Sequence, residues 1–172
     1  QAKDISKLLW NAPLSRSEVT IAHEQIWWPS VGFPLGITTF NSKQCEKLQA
    51  TFQGTWIAKM GFSRSMAKAR IRYGPAHYGG AWLRTIEGVQ GQKHIQLALF
   101  HLRAMDEVNE SLLITLSISQ LQAGIQRPIL HSSWETYGSY ITDTWLTKTW
   151  EYLSTHNIQL DVPNAWTPKP QR

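Results

Sequence analysis

The feature that most constrains the fold is a helical spacing of apolar residues, which recurs along most of the chain. Over residues 42–60, apolar side chains follow one another at intervals of three or four, and Gly61 is a natural helix end. The residues that carry this pattern are Cys45, Leu48, Phe52, Trp56 and Met60. Comparable patterns predict further helices at residues 16–28, 84–104, 107–123 and 142–155. We therefore expect a mostly α fold.

Local signals set the predicted helix ends. Ser15 and Glu18 form a capping box, and Pro29 is expected to stop the helix that follows. Two short stretches alternate with a period of two, residues 67–73 and 158–162, and these are expected to be extended. Together the patterns predict a single helical domain of about four to five helices with one or two short extended segments.

Composition is that of a globular chain. Of the 172 residues, 42% are hydrophobic and 17% are charged, so a real core is expected within residues 1–162, and residues 163–172 are expected to form a C-terminal tail. The one cysteine, Cys45, excludes a disulfide within the chain. No apolar run approaches the roughly 20 residues that a membrane span needs, and no secretory leader opens the sequence. We expect an intracellular piece of a longer protein that does not contact a membrane.

Positive charge is concentrated in one stretch, residues 47–86, which we call the acid-free segment. It contains no Asp or Glu and carries +7, whereas the whole chain carries +5, so the remainder carries −2. Such a local excess is typical of a surface that binds a polyanion. The seven cations are Lys47, Lys59, Arg64, Lys68, Arg70, Arg72 and Arg84.

The centre of this segment, "AKARIRYGPAHYGG", suggests nucleic acid as the polyanion. If residues 67–73 are extended, three cations point to one side and could line a phosphate backbone. Neighbouring tyrosines could stack on bases, and the Gly-Gly pair permits a turn or a close approach. The alternative is a solvated basic strand edge. The candidate nucleic-acid-binding residues are Lys59, Arg64, Lys68, Arg70, Arg72, Tyr73, Tyr78, Gly79 and Gly80.

Catalytic and metal-binding motifs are missing from the sequence. His23-Glu24 lacks the second histidine of a zinc protease, and "GFSRS" ends in Ser65 where a hydrolase elbow requires glycine. Cys45 sits at a core spacing, which favours a buried thiol over a nucleophile. The sequence therefore predicts no catalytic residues, no metal site and no cofactor.

Four phrases resemble the region that follows the catalytic palm in reverse transcriptases of non-LTR retroelements from eukaryotes. They are "WWPSVGFPLGITTFNSKQCEKLQ" (27–49), "KMGFSRSMAKARIRYGPAHYGGAWL" (59–83), "QLQAGIQRPIL" (120–130) and "WLTKTWEYLSTHNIQL" (145–160). The resemblance spans roughly residues 15–160. Two departures from the family pattern are Trp82 after Gly80-Ala81 and the lack of a proline before Lys68.

This resemblance implies a thumb-like helical region of a retrotransposon reverse transcriptase, which holds the template-primer while catalysis takes place elsewhere. The implied partners are an RNA–DNA hybrid or duplex and the palm of the parent polyprotein. Residues that match the family phrases are Arg64, Tyr73, Gly74, Pro75, Tyr78, Gly79 and Gly80, whereas the other cations are candidates from charge and alternation alone.

Two other functions remain open. The first is a helical protein-interaction scaffold that docks through exposed aromatic residues, which would be favoured if several of Trp27, Trp28, Trp82 and Trp134 were exposed together away from the basic stretch. The second is a free-standing enzyme, which would require a cleft where His94 or His101 meets Asp106 or Cys45.

Overall fold

A computed structural model describes residues 2–62, 72–104 and 106–160. These residues are mostly helical, and no β-strand occurs among them. The predicted mostly α class is confirmed. The chain divides into two compact units, Gln1–Gln90 and Gly91–Arg172, and each has its own apolar core.

The first unit is built around a long central helix. Its elements are α1 (Ala2–Asn11), α2 (Arg16–Ala22), a π-helical turn (His23–Trp27), α3 (Trp28–Gly32), a 3₁₀ turn (Phe33–Gly36), α4 (Ser42–Lys59), a second 3₁₀ turn (Ala76–Tyr78) and the start of α5 (Ile86–Ala104). Helix α4 has the predicted bounds to within one residue, and Gly61 follows it with a left-handed φ of 75°. The core comprises Leu9, Val19, Ala22, Trp27, Trp28, Val31, Leu35, Cys45, Phe52, Trp56, Leu83 and Ile86.

The described part of the second unit contains the rest of α5 and three later helices. These are α6 (Glu107–Ala123), α7 (Trp134–Tyr137) and α8 (Trp145–Thr155), with 3₁₀ turns at Ile129–His131 and Gly138–Tyr140. Helix α6 has the predicted bounds, with Asp106 as its N-cap and Gly124 in a left-handed conformation after it. The core comprises Leu102, Leu116, Ile129, Leu130, Leu146, Trp150, Leu153 and Leu160.

The expectation that a helix stops at Pro29 is wrong. The chain passes through the π-helical turn and continues helical to Gly32, with Pro29 in the first turn of α3. Proline is tolerated in a first turn, where its missing N–H costs no helical hydrogen bond, and the wider π turn before it changes the hydrogen-bond register.

Only parts of the two predicted extended segments are described. Arg72 and Tyr73 are helical, whereas residues 63–71 lie outside the described residues. The prediction is therefore wrong for Arg72 and Tyr73, since alternation over so few residues does not outweigh the helix propensity of arginine. Of the second segment, residues 158–160 have no regular secondary structure, whereas residues 161–162 and the predicted tail at 163–172 lie outside the described residues.

Two residues that the periodicity would place in the core are exposed. Phe100 of α5 and Leu121 of α6 both face solvent. The buried face of α5 instead follows His94, Ala98 and Leu102, a spacing of four. Because both helices carry apolar residues on more than one face, the pattern alone did not identify which face is buried.

Candidate nucleic-acid interface

The 72–83 loop follows the basic part of the acid-free segment and is held closed by main-chain hydrogen bonds. The N–H of Trp82 donates to the Gly74 carbonyl at 3.0 Å, and the N–H of Gly80 donates to the Pro75 carbonyl at 3.1 Å. These bonds fix the two ends of the loop against each other. The loop therefore has a defined shape without relying on its side chains.

Glycine is required at two positions of this loop. Gly79 has a φ of 77°, which favours glycine. At Gly80 a Cβ atom would lie 2.0 Å from the carbonyl oxygen of Gly74, a backbone atom that cannot move aside. The predicted turn and close approach are both found, but the close partner is the chain's own Gly74 rather than a ligand.

Three aromatic side chains project from this closed loop. Tyr78 is 83% exposed and Trp82 is 71% exposed. The ring of His77, also exposed, lies 4.2 Å from the Tyr78 ring between centroids. Exposed aromatic rings on a loop of fixed shape are suited to stacking on bases or sugars.

Tyr73 is placed differently from Tyr78. It is only partly exposed, and its hydroxyl accepts hydrogen bonds at 3.3 Å from the side-chain amides of Gln49 and Gln53 on α4. The ring is therefore held against α4. Of the two predicted stacking tyrosines, Tyr78 is the freer.

Trp82 is a residue that the sequence did not identify as part of the site. Its φ is 47°, in the left-handed region, which is rare for a bulky side chain. Holding a non-glycine residue there costs on the order of 1–3 kcal/mol. Only its exposure in the same loop as Tyr78, which the sequence does not reveal, makes it a candidate contact.

Arg72 is the one cation of the predicted central row that the structure describes. Its side chain is half-buried, and the Nε–H is shielded from solvent with no hydrogen-bond partner among the described residues. Its carbonyl accepts from the N–H of Leu83 at 2.7 Å, which anchors the loop to the core of the first unit. Arg64, Lys68 and Arg70 lie outside the described residues.

Two other cations of the acid-free segment have partners within the first unit. The Lys59 ammonium, half-buried, donates to the Ala12 carbonyl just beyond α1. Arg84 pairs with Glu24 and lies over the Trp28 ring at 5.3 Å from its centroid. Arg84 and Glu24 are sixty residues apart, so no sequence pattern indicated this pair. Both cations have structural roles, which leaves less charge free for a ligand.

His23 lies in an aromatic cluster beside that ion pair. Its ring stacks on Phe52 with centroids 4.3 Å apart, and its Nδ1 is 3.2 Å from a Glu24 carboxylate oxygen. Burial is the largest influence and lowers the pKa of His23 to about 4, against the opposing effect of Glu24. His23 is therefore a neutral core residue at neutral pH.

The four tryptophans that bear on the scaffold alternative are not exposed together. Trp27 and Trp28 are buried in the first unit, and Trp134 is half-buried in the second. Only Trp82 is exposed, and it lies directly after the basic stretch in the sequence. This distribution does not favour an aromatic docking surface away from the acid-free segment.

One of the pairings named for the enzyme alternative, His101 with Asp106, is present. His101 Nδ1 lies 2.7 Å from Asp106 Oδ2, and this hydrogen bond is the largest influence that lowers the pKa of Asp106. The other carboxylate oxygen accepts from the N–H of Asn109 and so caps α6. The pair joins the end of α5 to the start of α6. No hydroxyl or thiol of the described residues hydrogen-bonds to it.

The remaining candidate features are the Cys45 thiol, groups of metal ligands and membrane-spanning helices. Cys45 is buried, and this burial is the main reason that its pKa rises to about 11, which disfavours the reactive thiolate. Over the three described ranges, no group of three or more His, Cys, Asp or Glu side chains could hold a metal ion. No helix there is long and apolar enough to cross a bilayer.

Comparison of the chain with protein-family models, curated proteins and solved structures found no significant match.

Proposed function

We propose that this chain is a nucleic-acid-binding, thumb-like part of a retroelement reverse transcriptase, with no catalytic centre of its own. The observation that carries the binding proposal is the exposed aromatic surface of the 72–83 loop, above all Tyr78, on a frame closed by backbone contacts. The assignment to a reverse transcriptase rests on the resemblance of the sequence phrases. An intracellular location and contact with the parent palm belong to the same proposal.

The proposed contacts are to phosphates and to the stacking faces of bases or sugars. Cations of the acid-free segment displace condensed counterions from the backbone, which makes the affinity depend on salt. Arg72, which is half-buried, is the described cation of the predicted central row, and its guanidinium is assigned to one of these phosphate contacts. Such contacts position a duplex and do not select its sequence.

The test is binding of the protein to a labelled RNA–DNA hybrid across a salt series. Replacing Arg70 and Arg72 together by alanine is expected to reduce the slope of log K against log salt by about two, roughly one per lost phosphate contact. The matched control, Lys43→Ala with Arg103→Ala, removes the same charge from exposed positions outside the segment and should leave the slope close to that of the wild type.

Stacking is tested separately from charge. Tyr78→Ala should weaken hybrid binding at least fivefold without changing the salt slope, because the lost contact is uncharged. Tyr140→Ala removes a similarly exposed tyrosine from the second unit and should have no effect. Equal binding by wild type and both segment variants, or no binding at low salt, would overturn the proposal.

A protein-interaction scaffold is the second candidate, and one observation favours it. Helix α6 exposes Ile114, Ile118 and Leu121, which lie at intervals of four and three and so share one face. Leu121→Lys would disrupt a protein contact on that face. Under the nucleic-acid proposal, the same change leaves hybrid binding unaltered.

A further inference from the structure

A groove between α1 and α4 forms a second candidate site in the first unit. It holds a cavity of about 310 Å³, at the lower end of the range of about 300–1,000 Å³ typical of ligand pockets. The lining consists of Lys3, Ser6, Lys7, Trp10, Thr51 and Thr55. A neighbouring cavity of about 410 Å³ shares Lys3 and Thr51, so the two cavities adjoin along the same pair of helices.

The charge of this groove is positive. Lys3 and Lys7 line the first cavity, and Lys47 lines the second, against a single acid, Asp4. Neither Lys3 nor Lys7 has an ion pair within 4 Å in the described ranges, although the charges of both help to lower the pKa of Asp4. Two lysines four apart on a helix repel each other, and Asp4 offsets only one of the two charges, so an anion between them would relieve the remaining repulsion.

The other lining groups define what kind of anion fits. The Ser6 hydroxyl donates to the Ala2 carbonyl, and the Thr51 hydroxyl donates to the Leu48 carbonyl, so these two donors are already used. The charged donors of the lining are the ammonium groups of Lys3 and Lys7. Trp10, 46% exposed, adds a large aromatic face beside them. A nucleotide carries a phosphate, which binds cations, next to a base, which stacks on an aromatic ring, so it matches both features of this lining.

The groove is distinct from the 72–83 loop. Tyr73 hydrogen-bonds to Gln49 and Gln53 of α4, whereas the groove uses Thr51 and Thr55. Residues two apart on an α-helix project about 200° from each other. The loop and the groove therefore lie on roughly opposite sides of α4 and are separate surfaces.

We infer that the α1–α4 groove binds one nucleotide of a single-stranded nucleic acid. Lys3 and Lys7 contact its phosphates, and Trp10 stacks on its base. This site goes beyond the proposed duplex contact of the 72–83 loop, because it takes a different form of nucleic acid on another surface.

The experiment measures binding of a short labelled oligothymidylate by fluorescence anisotropy across a salt series. Lys3→Gln with Lys7→Gln is expected to lower the salt slope by about 1.4, since each phosphate contact on a single strand contributes about 0.7. Trp10→Leu is expected to weaken binding about five- to a hundredfold at constant salt, and Trp10→Phe, which keeps a ring, by less.

Lys43→Gln with Arg103→Gln is the control of equal charge, because both residues are exposed and line neither cavity. An unchanged helical circular dichroism spectrum verifies that each variant is folded. The inference is overturned if wild type does not bind the single strand at low salt, or if the groove variants bind it as wild type does. Hybrid binding that depends on Arg70 and Arg72 would survive either result, so the two proposals fail independently.

Discussion

At the scale of single residues, Gly80 offers the clearest test of the closed loop. Gly80→Ala would place a Cβ against the backbone of Gly74, so the loop must open or shift. We expect it to lower the free energy of unfolding by about 1–3 kcal/mol, as overpacking usually does. Urea denaturation followed by circular dichroism measures this change.

Gly54→Ala is the matched control. Gly54 lies within α4, and nothing lies within 4 Å of the position its Cβ would take. Alanine there should stabilise the protein by about 0.5–1 kcal/mol. If Gly80→Ala behaves as Gly54→Ala does, the close approach of Gly74 and Gly80 does not hold the loop.

His23 makes stability depend on pH. The folded state keeps this histidine neutral, with a pKa of about 4, whereas the unfolded chain binds a proton near pH 6.5. The free energy of unfolding therefore has its full value above about pH 6.5 and falls as the pH drops toward 4. The loss over the whole window is about 3 kcal/mol. Chemical denaturation at several pH values between 7 and 4.5 measures the loss.

His23→Phe keeps the ring stacked on Phe52 and removes the proton-binding group. It should flatten the dependence on pH within that window. His77→Phe, at an exposed position, should leave the dependence as it is in the wild type. A wild-type pH dependence in His23→Phe would mean that the ring is not the group responsible.

At the scale of elements, α4 depends on its N-terminal cap. The Asn41 side chain accepts from the N–H of Gln44 at 2.9 Å, and the Gln44 side chain accepts from the N–H of Asn41 at 2.9 Å. Asn41→Ala should lower the melting temperature and cost about 1 kcal/mol. Asn11→Ala, an exposed asparagine without a side-chain hydrogen bond, is the control, and equal effects would show that the cap contributes nothing.

Strong local end signals made some elements predictable. Asp106 and Gly124 bracket α6, and both bounds of that helix are confirmed. The sequence gives no comparable signal for α1, which was not predicted. The π-helical turn before Pro29 was not foreseen either, because a π turn has no sequence signature. Capping residues therefore predict helix ends more reliably than apolar periodicity predicts which face of a helix is buried.

At the scale of the whole molecule, charge divides between the two units. The first carries eleven Lys and Arg against five Asp and Glu, a net +6, and the second carries six against seven, a net −1. Hydrogen exchange with and without the RNA–DNA hybrid should therefore show protection in peptides of the first unit, including the 72–83 loop. Protection confined to the second unit would contradict the proposed interface.

The candidate site was predictable in part. The turn at Gly79 and the close approach at Gly80 followed from glycine chemistry, which is local. The pairing of Arg84 with Glu24 depends on contacts between residues distant in sequence, and so does the exposure of Trp82. Single-sequence patterns do not contain such contacts.

In the 72–83 loop, the backbone determines the shape and the side chains determine the chemistry of the surface. Its frame is specified by glycines and main-chain hydrogen bonds, whereas its recognition surface consists of the side chains of residues such as His77 and Tyr78. Those side chains could be exchanged while the frame is kept. The loop is thus a place where related sequences could acquire new ligand preferences by point substitution, without rebuilding the fold that presents them.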